Sequence, residues 1–347
     1  MKKRSFYLMK LIMAVVVLMT GFRCEAQSVD ELQIKIKKLE AQNSALEAKL
    51  KKSTNKNSKN SAEQERQMDV LRGEIDRLRN VIEERDADEA ARAQAELSKK
   101  TVKIAIKDPV FMEYLNRYCD MDDDGVFTQW DAEHTYIIDI AKDKSLLRIN
   151  NTNIASLEGI EYFVNLRRLV CSGNAIPQID LSKNVNLESL IANGCELKLL
   201  NVSKNENLIR LECNNNLLYT IDLSSNRSLQ KLDLYKNKIA VLDLSGCENL
   251  KTLICSDNTL TSLDVSNNVE LESVNCSNNK LVQLSFVNNA KLVDIDISNN
   301  NLINVDLQNG MDINYIDCTK NKELEYVILS KGKRVLADRK DAKTRYK

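Results

Sequence analysis

One apolar pattern returns every 21 residues through the second half of the chain, and this fixed period constrains the fold more than any other feature of the sequence. Each copy has a leading apolar residue, a second apolar residue at plus two and a polar residue, usually Asn, at plus five, and every copy but the last has a third apolar residue at plus seven. A unit this short cannot bury its own apolar face, so successive copies must stack into a solenoid. The leading positions are Leu169, Leu190, Leu211, Leu232, Leu253, Val274, Ile295 and Ile316.

Each copy holds two blocks in which apolar and polar residues alternate, one around the leading position and one further on, as at residues 221–224 (Ile-Asp-Leu-Ser). The first block predicts a short strand, and successive strands stack in parallel at about 4.8 Å per turn. The second block leaves too few residues for a helix, so we expect strand or tight turns on the far side. A first copy at Leu147, with Ile154, is 22 residues long and brings the number of turns to about nine. The predicted fold class is therefore a repeat solenoid over residues 145–330, a curved slab of parallel strands roughly 40 Å long.

Cysteines occupy the plus-two position in five copies, where Leu234 and Ile297 stand in two of the others. Equivalent side chains of stacked parallel strands point the same way, which is a poor arrangement for disulfide torsions, so we expect buried thiols that act as small apolar residues. Cys195 replaces the plus-five Asn of its copy, whereas Cys119 and Cys247 lie outside the pattern and have no assignment. The five core cysteines are Cys171, Cys213, Cys255, Cys276 and Cys318.

Residues 101–144 are predicted to form a helical cap that contains a calcium-type loop. Asp108-Pro109 starts an apolar-periodic helix, because Pro suits the first helical turn. The helix leads into residues 120–131, which have Asp at loop positions 1, 3 and 5, Gly at 6, an apolar residue at 8 and a carboxylate at 12. A hard cation needs converging oxygens of this kind, so the loop predicts a single Ca²⁺ site with a dissociation constant of ~10⁻⁴ M. The predicted ligands are Asp120, Asp122, Asp124, Val126 through its carbonyl, and Asp131.

Asp131 departs from the calcium-loop pattern, because its side chain is shorter than that of the usual Glu at position 12. It would reach the ion with one oxygen or through water. An acidic loop that only caps the two helices is the alternative. Both interpretations give the segment the same purpose, which is to cover the first repeat.

The motif Leu-x-x-Leu-x-Cys-x-x-Asn-x-Ile at residues 166–176 resembles that of leucine-rich repeats. With cysteine in the core, the 21-residue copies are similar to the repeats of internalin-type adhesins with a cysteine ladder. The helix, the Asp-x-Asp-x-Asp-Gly loop and the Gly-Ile-Glu-Tyr-Phe turn at residues 159–163 resemble secreted leucine-rich-repeat proteins of Gram-negative gut bacteria. The resemblance covers about two thirds of the chain. It implies a horseshoe or superhelix, but such folds host many partners.

The N-terminus has the layout of a cleavable secretory signal: a basic start, an apolar run over residues 8–19 and a Cys-Glu-Ala sequence before Gln27. Cleavage after Ala26 would give a secreted or cell-envelope protein, in the periplasm or at the cell surface. Cys24 leaves a lipid anchor open, although Arg23 stands where lipoprotein signals have a small residue. An uncleaved membrane anchor is the third possibility. No later segment has the ~20 apolar residues that span a bilayer.

Residues 27–100 are predicted to form a coiled-coil stalk. The seam formed by Leu32, Ile36, Leu39, Asn43, Leu46 and Leu50 alternates spacings of four and three. Asn43 at a core position favours a parallel homodimer in one register. After a polar run over residues 53–61, a second seam from Met68 to Ile82 follows in a different phase. The alternative is a single solvated helix with an incidental apolar stripe.

The charge balance and the single histidine argue against several classes of function. With 50 basic and 50 acidic side chains, the chain gives no reason to expect nucleic acid as a partner. His134 is the only histidine, which excludes a His-Glu-x-x-His zinc site, and any Ser-His-Asp or Cys-His arrangement would have to use it. The sequence has no Walker loop, Cys-x-x-Cys pair or Gly-x-Gly-x-x-Gly. We therefore predict no enzymatic activity and a helix-surface or capping role for His134.

The binding surface is predicted on the concave side of the solenoid, where the side chains that flank the core positions of each strand point. Basic residues gather in the first half of this face and aspartates in the last turns, which suits a protein or a glycan. A merely soluble face is the alternative, because small polar residues dominate and aromatic anchors are scarce. The predicted binding residues are Arg168, Arg210, Lys231, Glu212, Asp233, Tyr235, Asp294, Asp296, Tyr315 and Asp317.

After Val327 the period fails, and we expect the basic residues 331–347 to fold over the last repeat as a cap, with a disordered basic tail that touches the envelope as the alternative. Together these features predict a secreted or surface-displayed, adhesin-like protein-binding module that a coiled coil multimerises. The competing prediction is a structural cell-envelope protein, in which the coiled coil is the working part and the repeats are a spacer.

Overall fold

The computed structural model describes residues 28–52, 58–141 and 153–347, which fall into two compact units divided between Ala95 and Glu96. The predicted signal peptide, residues 1–26, and the predicted repeat start at Leu147 lie outside the described residues. No helix in the described ranges is long and apolar enough to cross a membrane.

The first unit contains the helices α1 (Val29–Lys52) and α2 (Ser58–Lys99), and α2 continues into the second unit. Glu40 contacts Arg79 at 2.8 Å and Glu47 contacts Arg72 at 3.1 Å, so the two helices run antiparallel to each other.

The two predicted seams pack against each other within the chain. Leu32 and Ile36 of α1 form one buried cluster with Ile75 and Leu78 of α2. The difference in phase between the seams matches this pairing, because each belongs to a different helix of a hairpin. A parallel homodimer through the first seam would have to displace α2, so the dimer is a separate proposal below.

The second unit begins with the cap helices α3 (Pro109–Tyr118) and α4 (Gln129–Glu133). Asp108 is the N-cap of α3, and its Oδ1 accepts the backbone N–H groups of Val110 and Phe111, which α3 itself cannot satisfy. Phe111 and Phe127 pack against Phe163, so the cap and the start of the repeats share one core.

The repeats form a ten-stranded parallel sheet in which each core residue stacks on its counterpart one turn away. Leu169 is in register with Leu190 and Leu190 with Leu211, and all three are fully buried. The prediction of a parallel-strand repeat solenoid is confirmed. Numbered along the chain, the strands are β1 (Ile137–Asp139), β2 (Arg168–Val170), β3 (Ser189–Ile191), β4 (Arg210–Glu212), β5 (Lys231–Asp233), β6 (Thr252–Ile254), β7 (Ser273–Asn275), β9 (Asp294–Asp296), β11 (Ile313–Asp317) and β13 (Val335–Arg339).

The first strand of the sheet lies earlier in the sequence than predicted. Ile138, not a residue near Leu147, is in register with Leu169, so β1 belongs to the segment that we assigned to the cap. The spacing from Ile138 to Leu169 exceeds 21 residues because the connection contains the segment 142–152, and this insertion hides the first turn from a search by period.

The far side of the solenoid consists of tight turns in the early repeats and of a four-stranded parallel sheet in the late ones, as the second apolar block predicted. In this sheet Val305 is in register with Leu284 and Val327, and all three are buried. Its strands are β8 (Gln283–Ser285), β10 (Asn304–Leu307), β12 (Tyr326–Leu329) and β14 (Arg345–Tyr346).

Two rows of buried asparagines satisfy the backbone of the loops. In the plus-five row, Asn216 donates through Nδ2 to the carbonyls of Ala192 and Cys213, and its Oδ1 accepts the N–H groups of Cys195 and Leu197. A buried backbone group without a partner is costly, which explains why Asn recurs at this position. The side chain of Cys195 has only a thiol to donate, to the carbonyl of Cys171 at 3.2 Å and more weakly to that of Asn193.

The second row lies at the turns of the far side and explains the otherwise unassigned Cys247. Asn226 donates to the carbonyls of Val202 and Asn205, and Asn268 repeats this arrangement two turns later. Cys247 lies midway between them, 21 residues from each, and is fully buried. Cys247 therefore occupies a position that belongs to the second row of asparagines. Cys119 is the buried C-cap of α3.

The segment after Val327 is folded, although its apolar period fails. β13 pairs with β11, and β14 pairs with β12, so residues 331–347 add one further turn to the solenoid. Thr344 is fully buried, and its hydroxyl donates to the carbonyl of Leu324. The alternative of a disordered tail is wrong, because strand pairing continues after the core side chains end.

Candidate functional site

The face of the ten-stranded sheet that points away from the core is called the strand face here. Nine of the ten predicted binding residues lie in its strands, and Tyr235 follows β5 by two residues. Along each strand, core positions such as Leu211 are buried, whereas the flanking residues reach the surface to varying extents. The register places Arg210 beside Lys231 and Tyr315 beside Asp294. Neighbouring parallel strands are about 4.8 Å apart, so these side chains form continuous rows across the solenoid.

A charged cluster lies near the middle of the strand face. Glu212 Oε1 contacts Arg210 Nη2 at 2.7 Å and Lys231 Nζ at 2.6 Å. The glutamate is buried, whereas the two cations stay partly exposed. Glu212 therefore offsets one of the two positive charges of this cluster. A pattern search could not show this, because it counts charges without seeing which of them touch.

Burial and charge act in opposite directions on Glu212. Burial of its carboxyl raises the pKa, but the hydrogen bond from Lys231 and the charge of Arg210 outweigh burial and lower the pKa from its ordinary value of 4.5. The carboxylate is therefore ionised at neutral pH and holds both cations in place. Next to this cluster, Asp233 accepts from Asn214 Nδ2 at 2.8 Å and from the backbone N–H of Tyr235.

The acidic half of the strand face is also less free than its composition suggests. Asp296 accepts the backbone N–H and the hydroxyl of Ser298, and Asp317 makes the same contacts with Thr319. Asp317 is buried and also contacts Arg339 of β13 at 3.3 Å. These two aspartates therefore already use one carboxylate oxygen each to stabilise their own turns.

Two charged residues on the strand face keep their charge available. Arg168 and Asp294 are exposed, and no ion pair to either occurs within the described ranges. Tyr315 lies beside Asp294, and 36% of its surface is exposed. The face therefore offers one cation near its start and one anion with an aromatic ring near its end.

The calcium-type loop brings together three of its five predicted ligands. Asp120, Asp122 and Asp124 each place a carboxylate oxygen within 4.8 Å of the other two. Gly125 has a φ of 84°, and its N–H donates to Asp120 at 2.9 Å, so it supplies the left-handed turn that the pattern requires. The three carboxylates suit a hard cation such as Ca²⁺.

Asp131 does not join this group in the described geometry. One of its oxygens accepts the N–H of Met121, and the other accepts the N–H and hydroxyl of Thr128, so it closes the loop and caps α4. The N–H of Val126, another predicted ligand, donates to Asp124 at 2.7 Å.

Lys100, which no sequence motif singles out, forms an ion pair with one of the loop carboxylates. Its Nζ contacts Asp122 at 2.8 Å and lies 4.2 Å from the centre of the Trp130 ring. The hydrogen bond to Asp122 raises the pKa of Lys100 above its ordinary value. The ammonium and a calcium ion would therefore compete for one carboxylate. Lys100 lies twenty residues before Asp120, so no loop motif could identify it.

His134 contributes to local structure. Its Nδ1 lies 2.7 Å from the carbonyl of Trp130, its ring stacks on Trp130, and it is the C-cap of α4. This matches the predicted capping role. No serine, cysteine or carboxylate contact to the imidazole occurs in the described part of the chain.

No protein-family model matches the chain, and no curated protein matches it. Among solved structures, the functional domain of InlJ from Listeria monocytogenes, which includes a cysteine ladder, is similar over 66% of this chain and 58% of its own length, with 25% sequence identity and a TM-score of 0.49. The leucine-rich-repeat domain of APL1B is 18% identical over 52% of this chain and 65% of its own length, with a TM-score of 0.41.

A third similar structure is the leucine-rich-repeat ectodomain of the receptor kinase GASSHO1/SCHENGEN3 from Arabidopsis thaliana in complex with CASPARIAN STRIP INTEGRITY FACTOR 2. It is 18% identical over 58% of this chain and 31% of its own length, with a TM-score of 0.37. The chain thus spans less than two thirds of each of these structures. Its own parallel sheet, plus-five asparagines and buried core cysteines give it the leucine-rich-repeat fold with a cysteine ladder.

Proposed function

We propose that this leucine-rich-repeat solenoid is an exported, non-enzymatic binding module whose strand face recognises a protein, with a glycan as the alternative ligand. The observation that carries the proposal is the Arg210–Glu212–Lys231 cluster. Its buried carboxylate holds two long cations in fixed positions on an otherwise small-residue surface. Side chains that are ordered before binding lose less entropy on binding, so such a cluster is suited to recognition.

Three further groups support a recognition role for the strand face. Arg168 and Asp294 offer opposite charges at its two ends, which would fix the orientation of a partner. Tyr235 and Tyr315 are the aromatic side chains on the face, and tyrosine is enriched among residues that dominate binding energy. Ile191 and Ile254 add half-buried apolar surface on either side of the central cluster.

The test is a binding screen of the full chain against extracellular proteins and glycans, followed by variants of the strand face. Arg168→Ala, Tyr235→Ala and Asp294→Ala are expected to weaken binding, each by about 1–2 kcal/mol if its side chain is in the contact. Lys183→Ala and Lys204→Ala, in the turns of the far side, are the matched controls. If only the control variants weaken binding, the strand face is not the binding surface.

The competing proposal is a structural envelope protein in which the helices are the working part. The long α2, with its many exposed charges, is the feature that favours it. Expression of residues 96–347, which lack α1 and most of α2, in place of the full chain would distinguish the structural role from the recognition role. Loss of envelope integrity with retained ligand binding supports the structural role, whereas unchanged integrity supports recognition.

Calcium binding belongs to the proposal as a stabiliser of the cap. The three loop aspartates would hold the ion, and binding would neutralise their mutual repulsion. Ca²⁺ would thereby raise the unfolding temperature of the second unit. Melts with calcium and with a chelator test this, and Asp122→Asn should remove the difference between them.

Homodimerisation is a separate proposal, because the predicted seam is already filled within the chain. A dimer would have to use the exposed outer side of α1 and α2 or exchange the helices between two copies. Sedimentation equilibrium of the full chain tests it. A single monomeric species at tens of micromolar would remove avidity from the proposed function.

A further inference from the structure

The last turn of the solenoid, residues 331–347, has a charge opposite to that of the repeats before it. It contains eight Lys and Arg residues and two Asp residues, a net charge of +6. The repeats over residues 153–330 contain 15 basic and 22 acidic residues, a net charge of −7. The neutral total of the chain therefore conceals a strong separation of charge along the solenoid.

This turn is held in place by strand pairing and by contacts between its two sides. The hydroxyl of Tyr346 in β14 donates to Asp338 Oδ2 in β13 at 2.7 Å, which joins the two strands. The backbone of Lys347 bonds to Val327 and Leu329 of the preceding turn. The basic side chains thus extend from an ordered backbone, so binding does not have to order the backbone of this turn.

Most of the cations in the last turn are exposed. Within the described ranges, the one ion pair that involves this turn is Arg339 with Asp317. Asp338, one of its two acids, accepts from Tyr346 and is thereby engaged. The exposed cations are Lys331, Lys333, Arg334, Arg339, Lys343, Arg345 and Lys347.

We propose that this turn, called the basic end here, is an electrostatic contact site for an anionic membrane surface, with lipid phosphate headgroups as the ligand. Clusters of four to eight basic residues bind anionic lipids with about 1 kcal/mol for each residue near the surface. The Debye length is about 8 Å at physiological salt. Since turns are spaced at about 4.8 Å, the field of a membrane that meets the basic end extends over fewer than two turn spacings.

The same distances count against an extended polyanion such as a nucleic acid. A strand that ran along the solenoid would leave the basic end within a few turns and meet the acidic repeats. The tyrosines are also not free to stack on bases, because Lys347 lies over the ring of Tyr326 and Lys340 over that of Tyr346. A flat membrane surface that touches only the basic end does not meet the acidic repeats and does not need aromatic stacking.

A purely protective role is the competing explanation. β13 has one hydrogen-bonded strand neighbour among the described residues, and basic side chains on such an edge prevent pairing with other chains. Protection needs charge of either sign, whereas membrane binding needs positive charge. Replacing cations by anions therefore separates the two explanations.

The experiment is sedimentation of the full chain with vesicles of phosphatidylcholine alone or mixed with an equal share of phosphatidylglycerol. The test variant is Lys331→Ser, Lys333→Ser and Arg334→Ser together, whose side chains make no described ion pair. The matched control changes Lys183, Lys204 and Lys251 to Ser, with the same loss of charge. Any contribution of the apolar run 8–19 is common to all proteins compared.

We expect binding to the mixed vesicles only, falling steeply with salt, and reduced about a hundredfold in the test variant, or about fivefold per charge. In the control variant, the reduction in binding to the mixed vesicles should be less than a tenth of that seen in the test variant. Equal binding by test and control variants would overturn the inference. So would tight binding of a DNA oligonucleotide without binding of vesicles, or a triple Glu variant at the three test positions that still binds the mixed vesicles.

Discussion

Asp108 Oδ2 accepts the backbone N–H of Ala155 at 2.7 Å, so one carboxylate joins the start of α3 to the turn that enters the repeats. The same oxygen accepts the N–H of Ser156, and Oδ1 caps α3 through Val110 and Phe111. We predict that Asp108→Ala destabilises the second unit by about 2–4 kcal/mol, because four backbone donors lose a charged acceptor. Urea unfolding followed by Trp130 fluorescence measures this.

Asp243→Ala is the control for Asp108→Ala. Asp243 accepts one backbone N–H within its own exposed turn, from Ser245. It links no separate elements, so its loss should shift the urea midpoint far less. Equal shifts for the two variants would show that the link from Asp108 to Ala155 and Ser156 adds nothing to stability.

The contrast between Asp108 and the repeats shows what the sequence could predict. The positions from Leu169 to Ile316 follow a period, so their strands, register and burial follow from the spacing of apolar residues alone. The contact of Asp108 with Ala155 spans 47 residues without a repeating pattern. Ile138 was missed for the same reason, because an insertion separates β1 from the periodic copies.

Lys100 and calcium are predicted to compete for Asp122. Lys100→Ala removes the ammonium from Asp122 and should tighten calcium binding several-fold, since one fewer cation must be displaced. In the unchanged chain, calcium should also alter the emission of Trp130, because it moves the lysine away from the indole ring. Trp130 is the only tryptophan, so its fluorescence reports this site alone.

The control for this prediction is Lys107→Ala, whose lysine contacts Glu158 and no loop aspartate. It should leave the calcium titration unchanged. If Lys100→Ala and Lys107→Ala titrate alike, the lysine does not compete with the ion. An unchanged Trp130 emission in both variants and in the unchanged chain, up to millimolar calcium, would argue against the calcium site itself.

The second asparagine row is predicted to stabilise the solenoid more than Cys247 does. Asn226→Ala removes two hydrogen bonds to buried carbonyls and should cost about 2–4 kcal/mol. Cys247→Ala removes a small apolar side chain whose thiol lies 3.9 Å from the carbonyl of Leu223 and should cost about 1 kcal/mol. Chemical unfolding of both variants gives the comparison. A larger loss for Cys247→Ala would mean that packing, not the hydrogen bonds, determines stability at these turns.

Glu212 is predicted to make stability depend on acid pH. Its folded-state pKa is lowered below the ordinary value of 4.5, so its ion pairs stabilise the fold above that value and are lost as the pH falls through the folded pKa. We expect about 0.5–1 kcal/mol from this group, since the two cations are partly exposed and screened by water. Thermal unfolding between pH 6 and pH 3 should therefore decline less in Glu212→Gln. Parallel curves for the two proteins would contradict the assignment.

The charged residues of the strand face show why the sequence pattern predicted where this face lies but not which of its charges pair. Arg210, Lys231 and Asp317 were correctly placed on one face, because alternation along a strand fixes which side each residue occupies. Their partners are set by side-chain reach across strands. Glu212 lies on the next strand from Lys231, and Arg339 belongs to a turn that the period does not include. The pattern therefore predicts which side of the sheet a side chain occupies, but it does not predict the ion pair that the side chain forms.

The helical hairpin gives a prediction that separates one chain from two. Lys35 Nζ lies 3.3 Å from Glu74 Oε1, close enough for a carbodiimide to join them without a spacer. If α1 packs on α2 of the same chain, the Lys35–Glu74 linkage should appear by mass spectrometry in the monomer band of a denaturing gel. A homodimer with exchanged helices would place the same linkage in the dimer band. Ile36→Asp, which puts a charge into the buried cluster with Ile75, should abolish the linkage in either case, whereas Val70→Asp, at an exposed position of α2, should leave it intact.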